Sequence, residues 1–302
     1  MPGYGGTKIG FMRDLITNAL TIDVEDAVNQ AMRNIFRTDM EPTVRVLNNT
    51  MRLLDLLSEH NTIATFFILG EVARTYPELV RNISEHGHEL GIHGYSHDRY
   101  YNMTPVKAKE EIVSSKHLIE DITGKEVLGH RAPEFSIGKN NLWVLDLLLD
   151  AGIKYDSSIF PVKSDRYGWP GFVKEIGYFN LADGRKIIEA PLSVVDILGK
   201  EFPSCGGGYL RAFPYYFTDF AFRQIIKQRP VIVYLHPYEI DPPPFQKFYT
   251  DAIRRSPISV QIQLRKYWFN RESVMPKLNK LLKTYKFSTL RDIINQKLPE
   301  AF

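Results

Sequence analysis

Short, dense apolar runs alternate along this chain with stretches of helical spacing. The first run, "NALTIDV" at residues 18–24, is β-prone and ends in acids. After a loop, Val44, Leu47, Met51, Leu54 and Leu57 recur at the spacing of one helix face. "IATFFILG" is a continuous apolar run of strand length bounded by Gly70, the pattern of a strand buried on both faces of a parallel sheet. A helix over about 71–86 and a third strand, "HELGIHG", follow. Thr104 and Pro105 read as an N-cap and first-turn proline, opening a helix that closes at Gly124. "VLGHRAP" predicts a strand, "NNLWVLDLLLDAG" a helix with Gly152 behind it, and "IKYDSS" and "IIEAPLSVV" two further strands. "FTDFAFRQIIKQRP" is a helix stopped by Pro230, and "VIVYLHP" a buried strand ending in His236. This alternation argues for an α/β fold with a parallel sheet.

The "DPPPF" segment at 241–245 breaks the pattern, a basic and aromatic stretch runs to about 271, and a last helix and the short "FSTLRDII" element close the chain. The expected organisation is a tail over 1–17, a catalytic domain over 18–240, and a C-terminal extension over 241–302 packed on it.

Composition narrows the function classes. With 302 residues, 44% of them hydrophobic, there is ample material for a core. The formal net charge is only +3, and the basic residues are scattered, so no nucleic-acid footprint emerges. Cys205 is the single cysteine, which excludes an internal disulfide framework and a thiolate metal cluster. No run approaches the ~20 apolar residues of a membrane span, and the opening residues lack a secretory signal, so a cytoplasmic location is expected. A membrane-surface precursor is compatible with that location. Oligomeric state is left open.

The chemically rich stretches all fall at or just beyond predicted strand ends: "DVED" at 23–26, His93 and His97, "RAP" at 131–133, Asp156 and His236. In parallel α/β barrels that face carries the active site. His93 and His97 with one carboxylate from "DVED" make an open divalent-metal site. Three carboxylates within four residues repel one another unless a cation is near, and Arg131 is a candidate. Glycines of "CGGGYLR" could admit a sugar close to the backbone, or simply form a turn. That segment lacks the lysine and hydroxyl of a phosphate-binding loop. Tyr209, Trp169, Phe172 and Tyr238 are candidate sugar-stacking aromatics against a bland reading as core, and Cys205 reads as an inert buried thiol. His60, His86, His88, His117 and His130 are given no chemistry.

In order, "TIDVED", "HGYSH", "RAPEFS", "YDSS" and "VYLHP" resemble the motifs of the NodB-type polysaccharide deacetylases, carbohydrate esterase family 4, over about residues 18–240. "DVED", "YDSSI", "GGGYLR" at 206–211 and the C-terminal extension resemble its exopolysaccharide-cluster subgroup. The resemblance implies a distorted, incomplete parallel (β/α) barrel of seven to eight strands. It also implies metal-dependent hydrolysis of N-acetyl groups from an N-acetylated glycan.

On the matching positions, the resemblance makes Asp23 the catalytic base and His93 and His97 metal ligands. The third ligand falls to Asp26, with Glu25 as the alternative, because Val24 interrupts the usual adjacent aspartates. Arg131 is expected to orient and charge-stabilise the base bidentately, Glu134 to offer a backbone N–H to the oxyanion, and His236 to act as general acid. Asp156 is the expected carboxylate beside His236; Gly207, Gly208, Tyr209 and Tyr238 are expected to meet substrate. One divalent transition metal is implied, zinc first, with cobalt, iron and nickel accepting the same ligands. The rival readings are an O-acetyl esterase or non-sugar amide deacylase using the same site, and a catalytically silent glycan-binding protein.

Overall fold

The computed structural model describes residues 16–164, 167–241 and 254–302; the expected 1–17 tail lies almost wholly outside them, as does most of the 241–245 break. Eleven strands are described: β1 (Thr17–Val24), β2 (Thr65–Ile68), β3 (Glu89–Ile92), β4 (Gly129–His130), β5 (Tyr155–Asp156), β6 (Gly177–Asn180), β7 (Lys186–Glu189), β8 (Val194–Ile197), β9 (Lys200–Pro203), β10 (Ile232–Leu235) and β11 (Lys286–Ser288). The main sheet runs β10-β1-β2-β3-β4-β5-β7-β6. All neighbours along it pair in parallel except β6 with β7. Among the described residues, seven parallel strands along this path thus form an open barrel whose two ends do not pair, as the sequence resemblance implies.

β1 is the pivot. Its residues are buried after the first, as a central strand covered on both faces must be. Ala19 pairs with Ile232 on one side and Ser288 on the other, so β11 lies on the β2 side, along the N-terminal half of β1. The C-terminal residues therefore enter the main sheet.

Among the helices, α1 (Ala27–Phe36) directly follows β1, and α2 (Val44–Glu59) buries Val46, Leu53, Leu54 and Leu57. The segment expected as one helix over 71–86 is two, α3 (Gly70–Thr75) and α4 (Pro77–Glu85). Pro77 has no N–H to continue the first helix, so the chain breaks and restarts there. α5 (Pro105–Thr123) behaves as its ends predict: Thr104 Oγ1 accepts from the Lys107 N–H, and Gly124 takes the left-handed conformation at φ 66°. α6 is Trp143–Asp150, α7 Gly207–Ala212, α8 Tyr215–Ile225, α9 Ile258–Trp268, α10 Val274–Thr284 and α11 Leu290–Lys297. "IIEAPLSVV" is divided between β7 and β8, which belong to different sheets, and α1, β6 and β9 have no counterpart in the sequence pattern. No described helix is long and apolar enough to cross a membrane.

Candidate active site

Asp23, Glu25, His93, Arg131 and His236 stand at the C-terminal ends of β1, β3, β4 and β10, so the parallel register brings them together. Asp23 is 1% exposed and Arg131 fully buried. Arg131 Nη1 donates to Asp23 Oδ1 at 2.9 Å and to Thr21 Oγ1 at 2.6 Å. Its Nε and Nη2 are spent on the carbonyl and hydroxyl of Ser157, at 3.0 and 2.8 Å, and its plane lies over the Phe67 ring. The expected bidentate grip on Asp23 is thus a single contact. The guanidinium is shared among Asp23, Thr21 and Ser157, which leaves Asp23 Oδ2 directed at the cleft, 3.8 Å from His236 Nε2.

Glu25, His93 and His97 bring one ligand atom each within 4.8 Å of one another. Glu25 Oε1 lies 2.7 Å from His93 Nε2 and 2.9 Å from His97 Nε2. His93 Nδ1 is 2.8 Å from the Arg131 carbonyl, which can only accept, so Nδ1 carries a proton and Nε2 is the atom turned towards the carboxylate. Two electron-rich atoms at that separation require a cation, either a proton or a metal ion. His97 Nδ1 is buried with no hydrogen-bond partner, so His97 too is organised around Nε2. This donor set, two imidazoles and one carboxylate, fits a divalent transition metal. Gln30 Nε2 donates to Glu25 Oε2 at 2.8 Å and fixes the carboxylate from behind. Burial would raise the Glu25 carboxyl, but His97, His236 and the contacts with His93 and His97 hold it well below the usual range. For His97 burial works against the charged ring, and Glu25 more than offsets it, so its pKa rises.

Asp26, preferred by sequence as the metal carboxylate, is turned away. Its Oδ1 accepts from the Val28 N–H at 2.8 Å, capping α1, and its Oδ2 accepts from the Thr43 N–H. The reason is local geometry: the residue after the strand exit must begin the helix, and an aspartate there satisfies orphan N–H groups. The "HGYSH" loop is clamped from outside. The Glu111 carboxylate accepts from the Tyr95 N–H and the Ser96 hydroxyl, and Arg33 holds the Ser96 carbonyl. So held, His97 takes φ 62°, a left-handed conformation uncommon for a non-glycine residue.

His236 sits opposite, its Nε2 also 3.9 Å from Glu25 Oε1 and its Nδ1 3.5 Å from Glu239 Oε2. Burial would lower its pKa, but Glu25, Glu239 and Asp23 raise it to about 9. The expected partner, Asp156, is elsewhere: it lies 2.6 Å from His130 Nδ1 and accepts from the Ser158 hydroxyl. Tyr100 in turn reaches His130 Nε2, so Asp156 anchors a buried polar chain under the sheet end. The carboxylate that replaces it, Glu239, comes three residues after His236 in a short 3₁₀ turn. That turn was not foreseen, although the proximity of Glu239 to His236 is itself a sequence signal.

These groups open into a cleft of about 450 Å³ lined also by Glu134, Phe135, Tyr167, Gly208, Tyr209, Arg211 and Tyr238. Glu134 has φ 49°, in the turn just after Arg131, and its carboxylate accepts from Arg99 at 2.7 Å. Gly208, Tyr209 and Tyr238 line the cleft, but Gly207 does not. A Cβ on Gly207 would come within 2.6 Å of the Tyr234 ring, so this glycine permits close packing instead. Trp169 lines an adjoining groove, and Phe172 packs between Trp169 and Phe179. Cys205 is buried, with its thiol pushed up to about 12 by that burial, in keeping with an inert role.

Residues 39–155, which hold His93, His97, Arg131 and Glu134, match the family model described as "Polysaccharide deacetylase". Over these residues the chain is similar to the polysaccharide deacetylases. Residues 157–295, which hold His236 and Glu239, match a domain of unknown function, DUF3473. A peptidoglycan deacetylase of Helicobacter pylori is 40% identical over 110 residues, 36% of this chain and 36% of that protein. A peptidoglycan-N-acetylglucosamine deacetylase of Bacillus cereus is 33% identical over 96 residues, 32% of this chain and 35% of that one. The chain thus spans about a third of the length of these curated relatives. The fold matches a polysaccharide deacetylase homologue from Mycobacterium smegmatis with TM-score 0.59 at 18% identity, over 92% of this chain and 88% of that one. It also matches PuuE allantoinase with TM-score 0.60 at 14% identity, over 93% of this chain and 90% of the other.

Proposed function

We propose that this protein is a metal-dependent hydrolase that removes N-acetyl groups from an N-acetylated bacterial glycan or its precursor. The observation that carries the reading is the placing of Asp23 and His236 on one cleft, 3.8 Å apart, beside the Glu25, His93 and His97 donor set. Base, acid and cation site share one buried mouth. A divalent metal held by those three residues would polarise the acetyl carbonyl and lower the pKa of water towards neutrality. Asp23 Oδ2 takes the proton from the attacking water, with Arg131 aiming the carboxylate. The backbone N–H of Glu134, on the cleft wall, is the donor for the developing oxyanion. His236 gives a proton to the departing nitrogen, so water and amide become acetate and a free amine.

Aromatic walls suit a sugar. Tyr209 and Tyr238 line the cleft beside its polar groups, and the matched relatives named as deacetylases act on glycans. An exopolysaccharide or its lipid-linked precursor is the substrate class we favour, with zinc as the metal. Two measurements on protein purified without an affinity tag test this: metal content by mass spectrometry, and acetate release from N- and O-acetylated oligosaccharides in parallel. About one transition metal per chain and release from the amide substrate are expected. Release from the O-acetyl substrate alone would make the protein an esterase. Failure to bind any divalent ion after reconstitution would leave the silent glycan-binding reading in its place.

A further inference from the structure

The His236 side of the cleft is assembled from residues far along the chain. Glu239 is 1% exposed; its Oε2 accepts from the His236 N–H at 3.1 Å and its Oε1 from Arg211 Nε at 3.2 Å. Arg211 belongs to α7, a helix of only six residues, too short to hold itself in place. Residues 269–277 hold it. Lys277 Nζ donates to the carbonyls of Leu210 and Phe213 at 2.8 and 2.9 Å, a cation on the helix C-terminus. Asn270 Nδ2 donates to the Arg211 carbonyl at 2.7 Å, and the Phe269 carbonyl accepts from Arg211 Nη1 at 3.4 Å.

A second arm comes from the same segment. The buried guanidinium of Arg271 lies 5.2 Å from the centre of the Tyr238 ring. Tyr238 is itself stacked on the His236 imidazole, centroids 4.7 Å apart and planes 11° from parallel. Arg271 Nη1 is also 3.7 Å from Asp241, whose carboxylate takes two contacts from Arg45 of α2, at 2.7 and 2.6 Å.

We infer that Arg211 and Arg271 are positioning residues for His236, and that residues 269–277 complete the acid half of the active site. This rests on the reading of His236 as general acid. Arg211 fixes Glu239, which restrains the His236 backbone and faces its Nδ1; Arg271 fixes Tyr238, which restrains the plane of the ring. Neither arginine touches Asp23 or the Glu25, His93 and His97 set in any described contact. Loosening them should therefore spoil protonation of the leaving group and leave attack by water intact.

Leaving groups separate those two steps. An N-acetyl amide needs its nitrogen protonated, whereas p-nitrophenyl acetate expels a stable phenolate without an acid. Arg211→Met and Arg271→Met should lower kcat on N-acetylated chitotetraose by about 10- to 10²-fold, the scale of a misplaced catalytic group, with little change in KM. On p-nitrophenyl acetate both variants should lose clearly less than on the amide. Arg271→Lys, which keeps a cation over Tyr238, should recover part of the amide rate. Equal loss on both substrates, in variants that keep the parent melting temperature and metal content, would overturn the inference, as would no loss on either. Variants that unfold would be replaced by Lys277→Met, which releases α7 from outside the cleft and carries the same expectation. Turnover of neither substrate by the unaltered protein would overturn the functional reading, and this inference with it.

Discussion

The Asp23 half and the His236 half of this cleft are built by different means. Asp23 is gripped by a fully buried arginine at 2.9 Å, and the described side-chain contacts of that arginine are to strand residues or to the strand-following Ser157. His236 instead meets its carboxylates at 3.5 to 3.9 Å and depends on a 3₁₀ turn, a six-residue helix and a C-terminal segment. Packed parallel strands hold Asp23 because their register cannot slip without moving the whole core. Loops and short helices hold His236 through polar contacts, which individually contribute about 1 kcal/mol. The proposed hydrolysis can tolerate this inequality: water attack demands an aimed carboxylate, while a histidine needs only to reach the leaving nitrogen.

The comparison breaks most sharply at Asp23. Asp23→Asn should cut acetate release by about 10³-fold on amide and activated ester alike while retaining the bound metal, and His236→Ala about 10²-fold on the amide with a smaller effect on the ester. Mass spectrometry and paired assays check both. Metal loss in Asp23→Asn would mean that this residue is a ligand.

Charge should matter on the acid side in metal-free protein. The folded-state pKa of His236 is raised to about 9, above the ~6.5 of an unfolded histidine. Its contribution to stability is then fully present below about pH 6.5 and lost as pH rises through about 9, by at most about 3 kcal/mol. Thermal melts of the metal-free protein across that window should show the decline, and His236→Gln should remove it. Binding a metal to Glu25 would neutralise one of the raising carboxylates and flatten the profile.

Smaller effects sharpen the assignment of the ligands. Glu25→Ala should weaken metal binding by more than about 10²-fold, beyond what loss of a supporting contact causes, as measured by competition with a chelator. Asp26→Ala should leave the metal in place and cost about 1 kcal/mol of folding stability through the lost α1 cap, read by denaturant unfolding. The opposite outcomes would restore Asp26 as the ligand.

Much of the fold was legible because its signals are local. A buried parallel strand such as "IATFFILG" and a helix bounded by Thr104, Pro105 and Gly124 carry their own chemistry, and the order of strands and acidic strand ends placed Asp23, His93, His97, Arg131 and His236 on one face. α1 was missed because its polar residues hid the apolar stripe, and the single helix expected over 71–86 ignored what Pro77 does to its predecessor.

By itself, then, the order of residues determined the α/β class, the strand ends that carry chemistry and the imidazole pair, all consequences of periodicity and backbone preference. It could not choose between Glu25 and Asp26, because one residue of offset decides which carboxylate points inward and which caps a helix. Nor could it pair His236 with Glu239 rather than Asp156, or bring Arg271 to the back of Tyr238. Glu239 is only three residues from His236 and Arg271 is 33 from Tyr238, yet only packing, which decides which buried charge meets which, sets both contacts.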